Sequence, residues 1–212
     1  MELKFLGHQG NVFSPAIIDK AIAVEYETEQ INRFSVKSMG IDPGFGSSKF
    51  ACVITQLIDE HTVQVLYANQ WERVDFNEIL DELWRLICKF DPSKIWVDGA
   101  NPSVITSLKI QVGDEPDYLA AIERYERAKV DYESVFRVIP VNFNQLNRQM
   151  LSHVKMLLES NMLQIHPARF QDLILSLRGA VEKGEFRLDK EKSVKSDLLD
   201  ALRLSTHHYQ FV

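Results

Sequence analysis

The stretch MGIDPGFGSSKFACVI, Met39 to Ile54, runs from one apolar segment to another through an aspartate and a glycine-rich turn. Pro43, Gly44 and Gly46 turn the chain, and Asp42 stands where the first apolar run ends. Taken alone, Asp42 reads as a turn residue, because Asp before Pro-Gly is ordinary turn chemistry. The competing reading makes it the first carboxylate of an acidic site.

The residues on either side predict a three-strand antiparallel meander: Ser38 to Asp42, then Ser48 to Ile58, then Thr62 to Trp71 across the polar break Asp59-Glu60-His61. DFNEILDELWRLICKF follows, with Asp75 as a cap and Ile79, Leu83, Leu86, Ile87 and Phe90 at helical spacing, ending at Asp91-Pro92. KIWVD, Lys94 to Asp98, is a short continuous apolar run, as expected of a buried central strand, and it too ends in an aspartate. Further on, the pattern predicts a strand at Phe136 to Val141 and a helix from Asn144 to Ser160. Another helix is expected over Phe170 to Ala180, a hairpin arm at Gly184 to Leu188 and a closing helix from Ser196 to Tyr209. DYLAAIERYERAKVDYE, within the polar region 99–134, is expected to be helical and solvated. The fold class is therefore α/β, a mixed β-sheet with helices packed on it. Residues 1–36 show no long periodicity and read as a lead-in segment, with a short helix over Pro15 to Val24 capped by Ser14; residues 37–212 form the domain.

With 212 residues, 45% hydrophobic and 25% charged, the chain is long enough for one full core. Cys52 and Cys88 lack a CxxC or His partner, so the reading is two reduced core thiols, an intracellular setting and no structural zinc. No apolar run approaches the roughly 20 residues that span a bilayer, and the N-terminus MELKFLGHQGNVF lacks the apolar core of a signal peptide. The expectation is a soluble, cytoplasmic protein with no membrane partner. A net charge of -6 argues against a dedicated nucleic-acid coat, yet is compatible with a nuclease that gathers carboxylates.

Four carboxylates carry the chemistry. Asp42 and Asp98 end two predicted strands, and Asp197 and Asp200 in KSDLLDALRLS are three apart, on one face of the closing helix. If the two strands are neighbours, all four converge, and so many carboxylates in a small volume call for a cation; oxygen-only donors suit Mg²⁺ or Mn²⁺. Two such ions about 4 Å apart can hydrolyse a phosphodiester. Each aspartate also has a plainer reading: Asp98-Gly99 is turn chemistry, Asp197 can cap its helix, and Asp200 can be a solvated first-turn residue. Lys49, Lys192 and Lys195 are candidate contacts to a DNA backbone, although the lysines of 183–195 alternate with acids as in a mixed solvated loop. Trp71, Trp84 and Trp96 read as core residues.

GIDPGFGSSKFA, KIWVDGAN and SDLLDALRLS, with MLSHVKMLLESNMLQI between them, resemble the C-terminal nuclease domain of the large terminase subunit of tailed viruses, a branch of the RNase H-like (retroviral integrase) superfamily. The resemblance spans residues 36–209, and VFSPAIIDKAI is similar to the linker that precedes such domains. It implies an RNase H-like sheet and a divalent-metal-dependent endonuclease that cuts concatemeric double-stranded DNA, with Asp42, Asp98, Asp197 and Asp200 as ligands of the metal ions. It implies as partners a packaging ATPase domain, a portal and a small terminase subunit in the host cytoplasm. No G-x-x-x-x-G-K-[ST] phosphate loop occurs in the sequence, so the motor function must lie elsewhere. The D-x-x-D spacing is shared with RuvC-like Holliday-junction resolvases, which leaves these as an alternative. An ATP-binding fold of the actin, heat-shock chaperone and sugar-kinase type is a further one, disfavoured because it needs two duplicated lobes.

Overall fold

The computed structural model describes residues 10–27, 35–44, 49–114, 136–183 and 187–209. The three β-rich segments form β1 (Val36–Pro43), β2 (Phe50–Leu57) and β3 (Val63–Trp71), each antiparallel to the next, as the meander requires. One irregularity breaks the ladder: Ile54 pairs with Tyr67 but Thr55 pairs with Val65, so Leu66 is an extra residue that bulges β3. β4 (Lys94–Asp98) and β5 (Val138–Val141) extend the sheet in parallel beyond β1, and β6 (Leu163–Gln164) adds in parallel to β3. The order β5-β4-β1-β2-β3-β6 makes β1 and β4 interior neighbours. Both faces of these strands are covered, which is why MGID and KIWVD are continuous apolar runs rather than alternating ones.

Six helices flank the sheet among the described residues: α1 (Pro15–Ala21), α2 (Phe76–Phe90), α3 (Pro102–Val112), α4 (Phe143–Glu159), α5 (Gln171–Arg178) and α6 (Ser196–Thr206). α2 starts where predicted, the Asp75 carboxylate accepting the N–H groups of Asn77 (2.8 Å) and Glu78 (3.3 Å). It stops at Asp91, which is left-handed at φ 48°. Adjacent residues of β2 face opposite layers. Cys52 and Ile54 pack with Ile79, Leu83 and Ile87 of α2, whereas Ala51 and Val53 pack with Leu151 and Val154 of α4 and Leu198 and Leu202 of α6. Trp96 fills a smaller cluster with Ile139, Met150 and Leu204.

The seating of α6 depends on Gly40. A Cβ there would overlap the Ala201 carbonyl oxygen and the Ser205 amide nitrogen, and would lie 2.9 Å from Leu204 Cβ. Without that atom the helix backbone rests directly on β1. The Thr55 hydroxyl donates to the Ser205 carbonyl at 3.2 Å and lies 3.2 Å from the Tyr209 hydroxyl, fixing the same helix over β2.

The described part of the lead-in, 10–27, shares this core. Val12, Phe13, Ile18 and Ala21 are buried against α4 and α5. The Tyr26 hydroxyl hydrogen faces the carbonyls of Val65 (2.8 Å) and Gln164 (3.1 Å), and its oxygen accepts the His166 N–H (3.1 Å). Some expectations differ from what is found. Cys88 is exposed rather than a core thiol. The region 99–134, expected to be polar, opens with α3, whose Val104, Ile105 and Leu108 are buried. Trp84 is 40% exposed on the outer side of α2, because the apolar stripe of that helix is complete without it. α1 stops at Ala21, short of Val24, and the closing helix stops at Thr206, short of Tyr209. The helix expected at 117–133 and the tip of the 184–188 arm lie outside the described residues, although Glu182 and Leu188 form an antiparallel bridge across the arm's base.

Replacing Gly40 by Ala forces α6 off β1 and is expected to cost about 1–3 kcal/mol. That corresponds to a fall in melting temperature of roughly 2–10 °C for a domain of this size, read by circular dichroism.

Candidate active site

Ile41 and Val97 are the last paired neighbours of the parallel β1–β4 ladder, so the next residues, Asp42 and Asp98, lie side by side at its end, each still paired on its outer side with β2 and β5 respectively. α6 crosses β1 at Gly40, two residues before Asp42, and carries Asp197 and Asp200 on successive turns. Asp42 is 8% exposed and Asp200 0%, while Asp98 and Asp197 are half-buried. Burial pushes the Asp42 carboxyl well above the usual carboxylate range, the negative charge of Asp200 adds to this, Lys190 opposes it, and Asp197 and Asp98 add further. Burial likewise raises Asp98, against the Ala100 N–H and Lys190, and raises Asp197, against the Lys49 backbone N–H and Lys190. Asp42 therefore feels the charge of all three other aspartates, and Asp98 and Asp197 each feel that of Asp200.

Two cations share the cluster. Arg203, one turn beyond Asp200 and 0% exposed, donates from Nη1 to Asp200 Oδ1 at 2.6 Å. Its Nη2 donates to Asn147 Oδ1 at 2.9 Å and to the Asn147 carbonyl, and its guanidinium lies 4.6 Å from the Phe143 ring centroid. A fully buried carboxylate requires such a partner, since an unpaired charge there would cost several kcal/mol. On the other oxygen, Lys190 Nζ stands 2.6 Å from Asp200 Oδ2 and 5.6 Å from the Phe143 ring. Oδ2 is itself buried, and the Lys190 ammonium is its charge partner. A cavity of about 830 Å³ opens beside the cluster, with Asp98, Thr106, Phe143, Asn147 and Lys190 in its wall.

The donor set fits a hard divalent cation: carboxylate oxygens only, three of them held with raised proton affinity, and Asp200 Oδ2 with a lone pair to spare. Among the described residues no three carboxylate, imidazole or thiol groups stand in a ready-made coordinating arrangement, and the ammonium of Lys190 stands among the acids instead. The plainer readings are met in part. Asp98 does make its turn, Oδ1 accepting the Ala100 N–H at 3.1 Å, while its carboxyl also faces the cluster. Asp197 is not the cap of α6; Lys195 takes that position in the left-handed region at φ 51°.

Lys49, Lys192 and Lys195 each pair with a carboxylate outside the four: Lys49 with Glu72, Lys192 with Asp189 at 3.8 Å and Lys195 with Asp172. Sequence reasoning missed Lys190 and Arg203 as members of the site. Arg203 carried a signal, its i+3 spacing from Asp200 on a helix; Lys190 carried none, being one lysine of an alternating charge run.

Because burial and like charge raise these carboxyls in the folded state, they contribute most to stability when protonated. That contribution is lost as pH rises from the ordinary carboxylate value of about 4 through the raised one. In EDTA the protein is expected to lose melting temperature over this range. Asp42→Asn should flatten the profile and melt a few degrees higher than the parent at neutral pH; a lower melting temperature for the variant there would contradict it.

No protein-family model matches the sequence, and no curated protein matches it. Solved structures do. The large terminase nuclease of thermophilic phage G20c is similar at TM-score 0.66 and 12% identity, covering 95% of this chain and 100% of that one; it has also been solved with bound cobalt, magnesium and zinc. The large terminase nuclease domain of bacteriophage SPP1, with bound Mn, is similar at TM-score 0.59 and 14% identity over 86% of this chain and 90% of that one. The large terminase of bacteriophage HK97 is similar at TM-score 0.61 and 14% identity, 93% of this chain matching 43% of that longer one. The chain thus has the RNase H-like fold of the phage large terminase nuclease domains.

Proposed function

We propose that this chain is the nuclease domain of a large terminase subunit: a divalent-metal-dependent endonuclease that cuts concatemeric double-stranded viral DNA during genome packaging. The observation that carries the reading is the convergence of Asp42, Asp98, Asp197 and Asp200 from two adjacent strand ends and one helix. Metal-bound structures of the G20c and SPP1 domains, which share the fold, support a divalent cofactor such as Mg²⁺ or Mn²⁺, and the four carboxylates are proposed to hold two such ions. Residues 37–212 are read as the nuclease domain and 1–36 as its lead-in.

In this mechanism the four aspartates hold the metal ions. The bound ions would supply an activated water and charge stabilisation at the leaving oxygen. Asp42 would hold them from the end of β1, beside the other three carboxylates. Asp200 has only Oδ2 to offer, because Arg203 holds Oδ1 and with it the orientation of the carboxylate. Asp98, tied by the Ala100 N–H, and Asp197, tied by the Lys49 N–H, keep their remaining lone pairs toward the centre. Lys49, Lys192 and Lys195 are proposed contacts to the DNA backbone, exchanging their present carboxylate partners for phosphate. A packaging ATPase domain, portal and small subunit would deliver the DNA in the host cytoplasm. Among the described residues no helix is long and apolar enough to cross a membrane. A RuvC-like junction resolvase would use the same carboxylates, and preference for a four-way junction over linear duplex would favour it.

Purified protein with Mg²⁺ or Mn²⁺ is expected to nick and linearise supercoiled plasmid with little sequence preference. Asp42→Asn and Asp98→Asn should each lower the rate by more than the roughly 10–100-fold typical of an outer-shell partner of a metal. Cleavage that is absent at every divalent-metal concentration, or indifferent to both substitutions, overturns the assignment.

A further inference from the structure

Lys190 is the one member of the cluster that the aspartate mechanism leaves without a task. Its ammonium is 2.6 Å from Asp200 Oδ2, the oxygen that Arg203 does not hold, and its charge acts on Asp42, Asp98 and Asp197 as well. A strongly hydrated point charge on a flexible four-carbon stem is well suited to neutralise several carboxylates at once.

Its delivery is built into the chain. Leu188 and Asp189 are buried, the Asp189 N–H donates to the Val181 carbonyl at 2.7 Å, and the Ser193 N–H donates to the Asp189 carbonyl at 2.9 Å, so the turn bearing Lys190 is anchored on both sides. The side chain is nonetheless 55% exposed and borders the 830 Å³ cavity that adjoins Asp98. The two basic partners of Asp200 thus differ in kind. Arg203 is buried and tied to Asn147, and cannot leave without stranding a charge. Lys190 can swing into the cavity and remain solvated.

We propose that Lys190 is the resident counter-ion of the metal-free site, a positioning residue that holds the carboxylates together and that a divalent ion must displace from Asp200 Oδ2. The proposal rests on the metal-site reading above and adds that metal affinity is set by competition with a side chain of the same protein. Linkage then requires that whatever weakens the Lys190 contact tightens metal binding by the same factor. An anionic phosphate entering the cavity, by attracting the released ammonium, would favour the loaded state.

The test is calorimetric titration of the metal-free protein with Mn²⁺, without DNA. Lys190→Met is expected to bind about tenfold more tightly than the parent, the order set by removing one nearby competing charge. Lys190→Arg should stay within about twofold of the parent, and Lys183→Met, the same charge change on the exposed arm, should leave affinity unaltered. Thermal melts provide a second measurement: Lys190→Met should fall below the parent in EDTA and match it in saturating Mn²⁺. Unchanged affinity in Lys190→Met, or equal tightening by Lys183→Met, overturns the proposal while leaving the metal site intact. Failure of parent and variants alike to bind Mn²⁺ overturns the metal reading and the proposal together.

Discussion

The contact between the backbone of α6 and the bare Cα of Gly40 is the constraint on which the rest of the molecule depends. Asp42 lies two residues beyond Gly40, and Asp200 directly precedes Ala201, whose carbonyl faces it, so the depth of that one contact fixes how close the two most buried carboxylates come. Mutual repulsion of the acids pushes the helix away. Opposing it, Leu198, Leu199, Leu202 and Leu204 are fully buried, each worth roughly 1.5–3 kcal/mol, and Thr55 adds a hydrogen bond to the same helix. Apolar burial thus holds a charged arrangement that electrostatics alone would disperse.

The electrostatic compensation is uneven, and its unevenness is informative. Asp200 shares a helix face with Arg203 and moves with it as one unit, so its first oxygen is neutralised in any position the helix adopts. Among the described residues no buried cation is paired directly with the other three carboxylates. They depend on Lys190, which approaches from a separate segment, and their raised proton affinity records how incomplete that compensation is.

Much of this was legible in the sequence, for reasons that particular residues make clear. MGID and KIWVD announced interior strands because both their faces are covered, and the D-x-x-D spacing on a helix announced a shared face. What pairwise patterns do not encode was missed. Gly40 drew no reading from the sequence, since the helix that needs it bare is 161 positions away along the chain. Arg203 and Lys190 look like solvated charges in a local window, and only tertiary packing makes one buried and the other a neighbour of four acids. The Leu66 bulge is likewise a product of how strands meet rather than of local composition.

The Tyr26 clamp has a mechanical consequence. Its hydroxyl binds the polypeptide that leads into the sheet to β3 and β6, at the edge opposite β4 and β5, and the Ile165 N–H to the Ala21 carbonyl (2.9 Å) reinforces the joint. Tension applied through the preceding chain therefore loads a few hydrogen bonds at that edge. β1 lies beyond β2 from the β3 side of this joint, so a pull on the lead-in meets the joint before it meets the strand that carries Asp42. The joint would yield before the aspartate cluster is strained.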